Sequence, residues 1–350
     1  MNTTKYQLGE LITQRREKNS ETDLPIRGVS KDGFIPPKQI DADTSIYNVF
    51  YMGDFVFNPA RMELNSIAFN DKYEKAICSS LYEVFYVHRT DIILPEYLAL
   101  IVKQNWFTRY CEFLGQGSAR EYCRFANISE IAIDVPPMDE QRKAVNSSKV
   151  ITERIELKRR INDNLDATIQ AIYQEFFVNN PDKGSWKQGV VGDVLQLQRG
   201  HDLPRAQMLG GDYPVAGSTG TIGYHNQYTA TAPVIVMGRS GNIGNPRLYL
   251  RNCWTHNTSL YVKQLFNSEA LWAFYLLKGL NYEGFVGGSA VPTLNRNDVH
   301  AYGITIPPLD LQRLFSQKAM RLIVEKENNL TEITKLEDLQ GTVLATISSR

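Results

Sequence analysis

Apolar positions along the chain change their period twice. Residues 5–135 are built of short runs of β-branched and aromatic residues, such as Val49-Phe50-Tyr51 and Asp54-Phe55-Val56-Phe57, bounded by Gly, Asn, Asp or Pro. That is the composition of strands separated by turns. The same texture returns over 187–306, as in Val234-Ile235-Val236-Met237. Each stretch holds one helical patch, from Pro95 to about Phe113 and from Glu269 to about Leu280. Each closes on Pro-Pro followed by Asp: Pro136-Pro137 with Asp139, and Pro307-Pro308 with Asp310. Proline is excluded from a helix interior and aspartate caps a helix start, so a helix is predicted to begin there. Beyond the first such start, Ile151, Ile155, Lys158, Asn162, Leu165, Ile169, Ile172 and Phe176 recur at spacings of 4 and 3. That is a coiled-coil seam.

The two halves are copies. An offset of 171 carries Gly117-Ser118-Ala119 to Gly288-Ser289-Ala290, Pro136-Pro137 to Pro307-Pro308, and Gln141-Arg142 to Gln312-Arg313. It carries the first seam onto Leu322, Lys326, Asn329, Ile333, Leu336, Gln340, Val343 and Ile347. Earlier in each copy, Leu8-Gly9-Glu10-Leu11-Ile12 resembles Val191-Gly192-Asp193-Val194-Leu195 at offset 183, and Pro25-Ile26-Arg27-Gly28 resembles Pro214-Val215-Ala216-Gly217. The copies share their edges and differ between them, as a duplicated scaffold with two different readouts would.

Two stripes in the same phase imply that the helices pair with each other. A helix of about 40 residues runs roughly 60 Å, and Asn179-Asn180-Pro181-Asp182-Lys183-Gly184 ends the first. The second must then return antiparallel. The expected fold is α+β: two β-rich domains related by a pseudo-twofold axis and separated by two long antiparallel coiled-coil helices. The expected segments are 1–138, the first β-rich domain; 139–180, a central spacer helix; 181–308, the second β-rich domain; and 309–350, a C-terminal spacer helix. Asn162 is a polar seam residue of the kind that sets register at a cost in stability. On this reading, burial of Asn162 would make Asn162→Leu raise the melting temperature.

Composition narrows the class. The chain has 38 basic and 38 acidic residues, which argues against a non-specific polyanion binder. Charge is uneven: 187–306 holds 9 basic and 6 acidic residues, 1–138 holds 15 and 18. Cys78, Cys111, Cys123 and Cys253 lack metal-ligand spacing and read as reduced packing residues. There is no membrane-length apolar run and no apolar leader after Met1, so a cytoplasmic location is expected. Asn58-Pro59-Ala60-Arg61 and Asp134-Val135-Pro136-Pro137-Met138 do not fit the [Asn/Asp]-Pro-Pro-aromatic motif that holds a target amine in adenine methyltransferases. Gly238-Arg239-Ser240-Gly241-Asn242-Ile243-Gly244 lacks the Lys-Ser/Thr of a nucleotide-phosphate loop. His201, His225, His256 and His300 are scattered and read as structural or solvent-exposed.

The whole pattern resembles the specificity subunit of type I restriction-modification enzymes. It comprises a β-rich domain ending in Gly-Ser-Ala, a strand, Pro-Pro, Asp-x-Gln-Arg and a long helix, all repeated. Tyr6-Gln7-Leu8-Gly9-Glu10-Leu11, Val190-Val191-Gly192-Asp193-Val194 and the run Tyr213–Gly223 resemble openings and recognition segments of that family. The resemblance implies a non-catalytic chain that binds double-stranded DNA. Each variable segment would read one half of a bipartite, asymmetric site, matching the two-domain spacing. The helices would bind two modification subunits that carry adenine-N6 methyltransferase activity and S-adenosylmethionine. A restriction subunit would add translocation and cleavage with ATP and Mg. No cofactor is then expected on this chain, and no membrane. An orphan specificity subunit, and a coiled-coil scaffold whose β domains bind protein, remain open.

Base edges are read by directional donors and phosphates by cations, small hydroxyls and backbone amides. The candidates in the first copy are Lys31, Arg61, Ser118, Arg120 and Arg124. In the second they are Ser218, Thr219, Arg239, Asn242, Ser289, Asn295 and Arg296. Arg120 and Arg239 stand out because glycine lies close before each and permits close backbone approach.

Overall fold

The computed structural model describes residues 3–37, 39–41, 43–115, 122–208, 210–287 and 293–348. The chain divides into two compact units, residues 1–158 with 331–350, and residues 159–330. Each is α+β, and the two share the order of central-sheet strands, covering helix, short helix, strand and long helix.

In the first unit the strands are β1 (Thr4–Gln7), β2 (Ile12–Arg15), β3 (Gly28–Ser30), β4 (Gly33–Ile35), β5 (Asn48–Tyr51), β6 (Asp54–Phe57), β7 (Ile67–Phe69), β8 (Lys75–Cys78), β9 (Glu83–Val87) and β10 (Ala132–Val135). The central sheet is antiparallel in the order β2-β9-β6-β7. It is covered on both faces, which is why Asp54-Phe55-Val56-Phe57 shows no polar alternation. Phe55 and Phe57 face helices α1 (Pro95–Val102) and α2 (Asn105–Gly115), where Leu98, Ile101 and Phe107 are buried. Val56 faces the opposite layer with Val29, Phe50 and Cys78. Phe55 and Phe85 stack at 4.9 Å between ring centroids, and burying each such ring is worth about 1.5–3 kcal/mol. A short helix, α3 (Phe125–Ser129), precedes β10, which pairs antiparallel with β1. The long helix α4 (Met138–Tyr173) follows and ends in a π-helical turn, Gln174–Val178.

The second unit repeats this. Its strands are β11 (Lys187–Val190), β12 (Leu195–Arg199), β13 (Tyr213–Gly217), β14 (Gly220–His225), β15 (Val234–Gly238), β16 (Gly244–Tyr249), β17 (Trp254–Thr255), β18 (Ser259–Leu265), β19 (Val286–Gly287), β20 (Thr293–Leu294) and β21 (Gly303–Ile306). The sheet β12-β18-β15-β16 matches the first unit's in order and direction. Ile235 and Met237 face helix α5 (Ala270–Lys278), while Val234 and Val236 face the layer holding Ala216 and Cys253. Helix α6 (Arg296–His300), β21 and the long helix α7 (Leu309–Ser348) close the unit. α3 and α6, β10 and β21, and the starts of α4 and α7 all keep the offset of 171. All four cysteines are buried and free.

The repeated Asp-x-Gln-Arg has a structural role. Gln141 and Gln312 are fully buried. The Gln141 side-chain amide donates to the carbonyls of Ile92 (2.8 Å) and Pro136 (2.9 Å), and its oxygen accepts from the Leu94 amide (2.8 Å). Gln312 donates to the Pro307 carbonyl (2.9 Å) and accepts from the Glu269 amide (2.9 Å). Leu94 and Glu269 are the residues that open α1 and α5. One glutamine thus ties the first turn of each long helix to the start of the short helix beside it.

Within each unit the long helices run antiparallel. In the first, Gln340 donates to Thr152 (2.9 Å), Lys158 pairs with Glu332 (2.7 Å), and Ile151 and Ile155 pack with Ile333, Leu336 and Val343. In the second, Lys326 pairs with Asp166 (2.5 Å) and Tyr173 packs on Phe315 (5.7 Å). Leu165, Ile172, Phe176 and Leu322 are half-buried, and Ile169 is fully buried. The Ile347 side chain lies outside the described residues.

Three expectations change. The patch from Pro95 to Phe113 is two helices, because the chain turns at Lys103, whose ammonium bonds the carbonyls of Ile67 (2.7 Å) and Lys31 (2.8 Å). The seam is wider than a heptad at the end of α4, where Tyr173 and Phe177 are more buried than Ile172 and Phe176. They pack with Tyr275 and Phe315, and the π-helical turn shifts the phase. Asn162 is buried, but it is paired: its side-chain oxygen accepts from the Asn329 amide at 2.9 Å.

Two stability tests follow. Gln312→Leu removes both partners from buried backbone groups and is expected to cost roughly 2–4 kcal/mol in denaturant unfolding. Asn162→Leu strips the Asn329 amide of that acceptor, so the single variant should lower the melting temperature rather than raise it, by an amount equivalent to about 1–3 kcal/mol. The double variant Asn162→Leu/Asn329→Leu should melt above the single one.

Candidate nucleic-acid interface

Two connections recur at equivalent places in both units and carry most of the described candidates. The first is a hairpin. Ile26 bridges Ile77 in parallel, Val215 bridges Trp254 in parallel, and each segment then turns back through a two-residue loop. The tips are Lys31-Asp32 and Ser218-Thr219, closed by Gly33 (φ 107°) and Gly220 (φ 119°), backbone angles that favour glycine. Lys31 and Thr219 are exposed. Ser218 is half-buried; its amide donates to the Thr258 hydroxyl (3.3 Å) and its carbonyl accepts from the Asn242 amide (3.2 Å).

The second connection joins an inner strand to the edge strand of each central sheet. β6 and β7 are joined through a short helical segment, Pro59–Leu64, that exposes Arg61. β15 and β16 are joined by residues 239–243, which hold Arg239 and Asn242. Each connection is stitched to the residue two or fewer places before the next short helix: the Cys123 amide donates to the Pro59 carbonyl (3.0 Å), and the Leu294 amide donates to the Arg239 carbonyl (2.8 Å). The segment carrying Arg61 is thereby tied to the one that precedes Arg124, and Arg239 stands beside Asn295 and Arg296. Ser118, Arg120 and Ser289 lie outside the described residues.

In the second unit these parts enclose an open cleft of about 490 Å³, lined by Arg199, Arg239, Leu260, Thr293, Leu294, Asn295 and Arg296. Arg199, at the end of β12, was not among the sequence candidates; its signal was a basic residue followed by Gly200 at a strand end. It lies 3.4 Å from the exposed Asp202. Asn242 braces the loop: besides its bond to Ser218, its side-chain oxygen accepts from Asn245 (2.7 Å). The Asn295 oxygen caps α6 by accepting from the Asn297 amide (3.0 Å). In the first unit Arg124 lies over the Tyr122 ring (5.3 Å) and 3.5 Å from Glu83, which also accepts from the Phe125 amide (2.7 Å).

Residues 44–167 and 183–338 match the family described as type I restriction modification DNA specificity domain. The chain belongs to that family. Among curated relatives, the HindI specificity subunit of Haemophilus influenzae is 25% identical over 126 residues, covering 35% of this chain and 27% of that protein. The MjaIX specificity subunit of Methanocaldococcus jannaschii is 21% identical over 134 residues, covering 34% and 31%. The matched stretches thus span about a third or less of those relatives. The fold is similar to that of the type I restriction-modification S subunit from M. genitalium, with a TM-score of 0.68 at 15% identity over 99% of this chain and 96% of that one. It is also similar to a chain from a study of type I system assembly and conformational transition, with a TM-score of 0.53 at 19% identity over 99% and 97%. Among the described residues of this specificity-domain chain, no helix is long and apolar enough to cross a membrane, and no cluster of three His, Cys, Asp or Glu could hold a metal ion.

One titratable group braces the second unit's cleft. His300 ends α6, and its Nε2 accepts from the Leu197 amide of β12 (2.8 Å), which fixes α6 and therefore Arg296 against the sheet. Acceptance requires the neutral ring. Burial, and secondarily the charge of Arg296, lower the His300 pKa below its ordinary value. The folded state thus binds a proton less readily than the unfolded state, so this tie stabilises above the ordinary histidine range near pH 6.5 and is lost as pH falls. The melting temperature should therefore drop on acidification from about pH 7.5 to 5.5, and His300→Gln, which can accept but not titrate there, should flatten that drop.

Proposed function

We propose that this chain is the DNA-reading subunit of a type I restriction-modification complex. Each unit reads one half of a bipartite, asymmetric double-stranded site. The chain itself catalyses nothing. Two modification subunits, with S-adenosylmethionine, methylate adenine N6 where the chain places them. A restriction subunit using ATP and Mg translocates and cleaves.

The observation that carries this reading is the repetition of one loop frame with different side chains. The hairpin tip presents Lys31-Asp32 in one unit and Ser218-Thr219 in the other; at the stitched position of the sheet connection stands Pro59 in one and Arg239 in the other. A frame held constant while its contact residues vary is what two unlike half-sites require.

The test is co-expression with the cognate modification subunit and single-molecule mapping of N6-methyladenine. A new bipartite motif is expected, one half of which changes when residues 187–306 are exchanged for those of another family member. A stable complex that deposits no new methylation would overturn the reading.

A further inference from the structure

We propose that the second unit reads guanine, with Arg239 as the principal base-contacting side chain and Arg199 and Arg296 beside it. This rests on the DNA-reading function proposed above and names what one half of the target contains.

Three arginines reach one cleft from three different elements: the end of β12, the β15–β16 loop and the first residue of α6. No carboxylate stands among the described lining residues. A guanidinium presents a rigid fork of donors that matches the two major-groove acceptors of guanine, O6 and N7. Adenine presents one acceptor and one donor, and its bidentate partner is a free asparagine or glutamine amide. The nearby amides are turned inward. Asn242 uses both ends on Ser218 and Asn245, and the Asn295 oxygen caps α6. The bidentate groups left facing the cleft are therefore the guanidiniums, which only donate; the hydroxyl-bearing lining residue, Thr293, offers a single hydroxyl and no fork.

Arg239 is the best placed of the three. Its amide donates to the Thr258 carbonyl (2.9 Å) and its carbonyl accepts from Leu294 (2.8 Å), so its Cα is held from both sides. A Cβ on Gly238 would fall 1.5 Å from the Asn242 carbonyl oxygen, so the loop entry admits glycine alone. The Arg239 side chain makes no ion pair or hydrogen bond with the described residues. A fixed Cα with an uncommitted side chain suits base reading, which demands register; a phosphate contact tolerates looser placement. Among the described residues, the first unit differs at two of the equivalent places. Pro59 accepts the stitching bond that Arg239 accepts in the second unit, and Phe125 stands at the start of α3 where Arg296 starts α6.

The experiment uses the full chain with its modification subunit and maps N6-methyladenine for the wild type and for Arg239→Gln, Arg199→Gln, Arg296→Gln and Arg239→Lys. The wild-type motif should carry guanine in one half. Arg239→Gln should admit another base at one guanine position, raising methylation of the substituted sites by about tenfold or more relative to the original ones. The other half should stay unchanged, which also reports that the complex is folded. Arg239→Lys, which still donates to O6 and N7, should keep the guanine. A wild-type complex with no bipartite motif would overturn the functional reading and this inference together. A bipartite motif whose halves contain only A·T pairs, or whose guanines survive all three glutamine variants, would overturn this inference alone. So would an even loss of methylation at every site, which is the signature of phosphate contacts, or abolition by both Arg239 variants at wild-type melting temperature.

Discussion

A buried glutamine sets the direction in which each long helix leaves its unit. Gln141 and Gln312 sit in the first turn of α4 and α7, where Pro137 and Pro308 accept the first helix amides and the carbonyls of Pro136 and Pro307 lie one residue too early to do so. Each side chain bonds that earlier carbonyl and reaches across to the opening residue of α1 or α5. A fully satisfied buried amide is directional in a way that apolar packing is not. The helix axis is therefore referred to the helical layer that covers the sheet, and through it to the loops at the sheet edge.

The helix seam obeys a similar logic. Most of it is apolar and would tolerate a slip of one turn. Asn162 and Asn329 cannot slip without losing each other, and the charged pairs Lys158–Glu332 and Lys326–Asp166 flank them, each within its own unit. Exposed pairs of this kind add little stability. A buried amide pair penalises every alternative register, which is the best-attested use of polar residues in a coiled coil.

Much of this architecture was legible in the chain because it is written in periods. The seam positions from Ile151 to Ile169 and from Leu322 to Val343 are buried or half-buried as their spacing implied. Pro-Pro marked both helix starts to within a residue or two. What failed were features set by tertiary contacts. No local signal separates α1 from α2, and the turn residue Lys103 is bonded to carbonyls distant in sequence, Lys31 at the hairpin tip and Ile67 in β7. Burial of Tyr173 and Phe177 depends on facing aromatics far along the chain. The same holds for the interface. Arg239 was visible because glycine precedes it, whereas Arg199 becomes a cleft residue only when β12 is placed beside the β20 and α6 segment. Asn242 had the right chemistry for a base contact, yet its neighbours use both ends of its amide.

The anchoring of Arg239 by its backbone alone has an evolutionary consequence. Its neighbours bind its amide and carbonyl, groups that every residue except proline provides. Exchange of the side chain leaves those bonds in place and opens no cavity. Single codon changes can therefore vary the side chain at this position without passing through unfolded intermediates. The geometry of the loop and the chemistry of the side chain it presents are in this way separable.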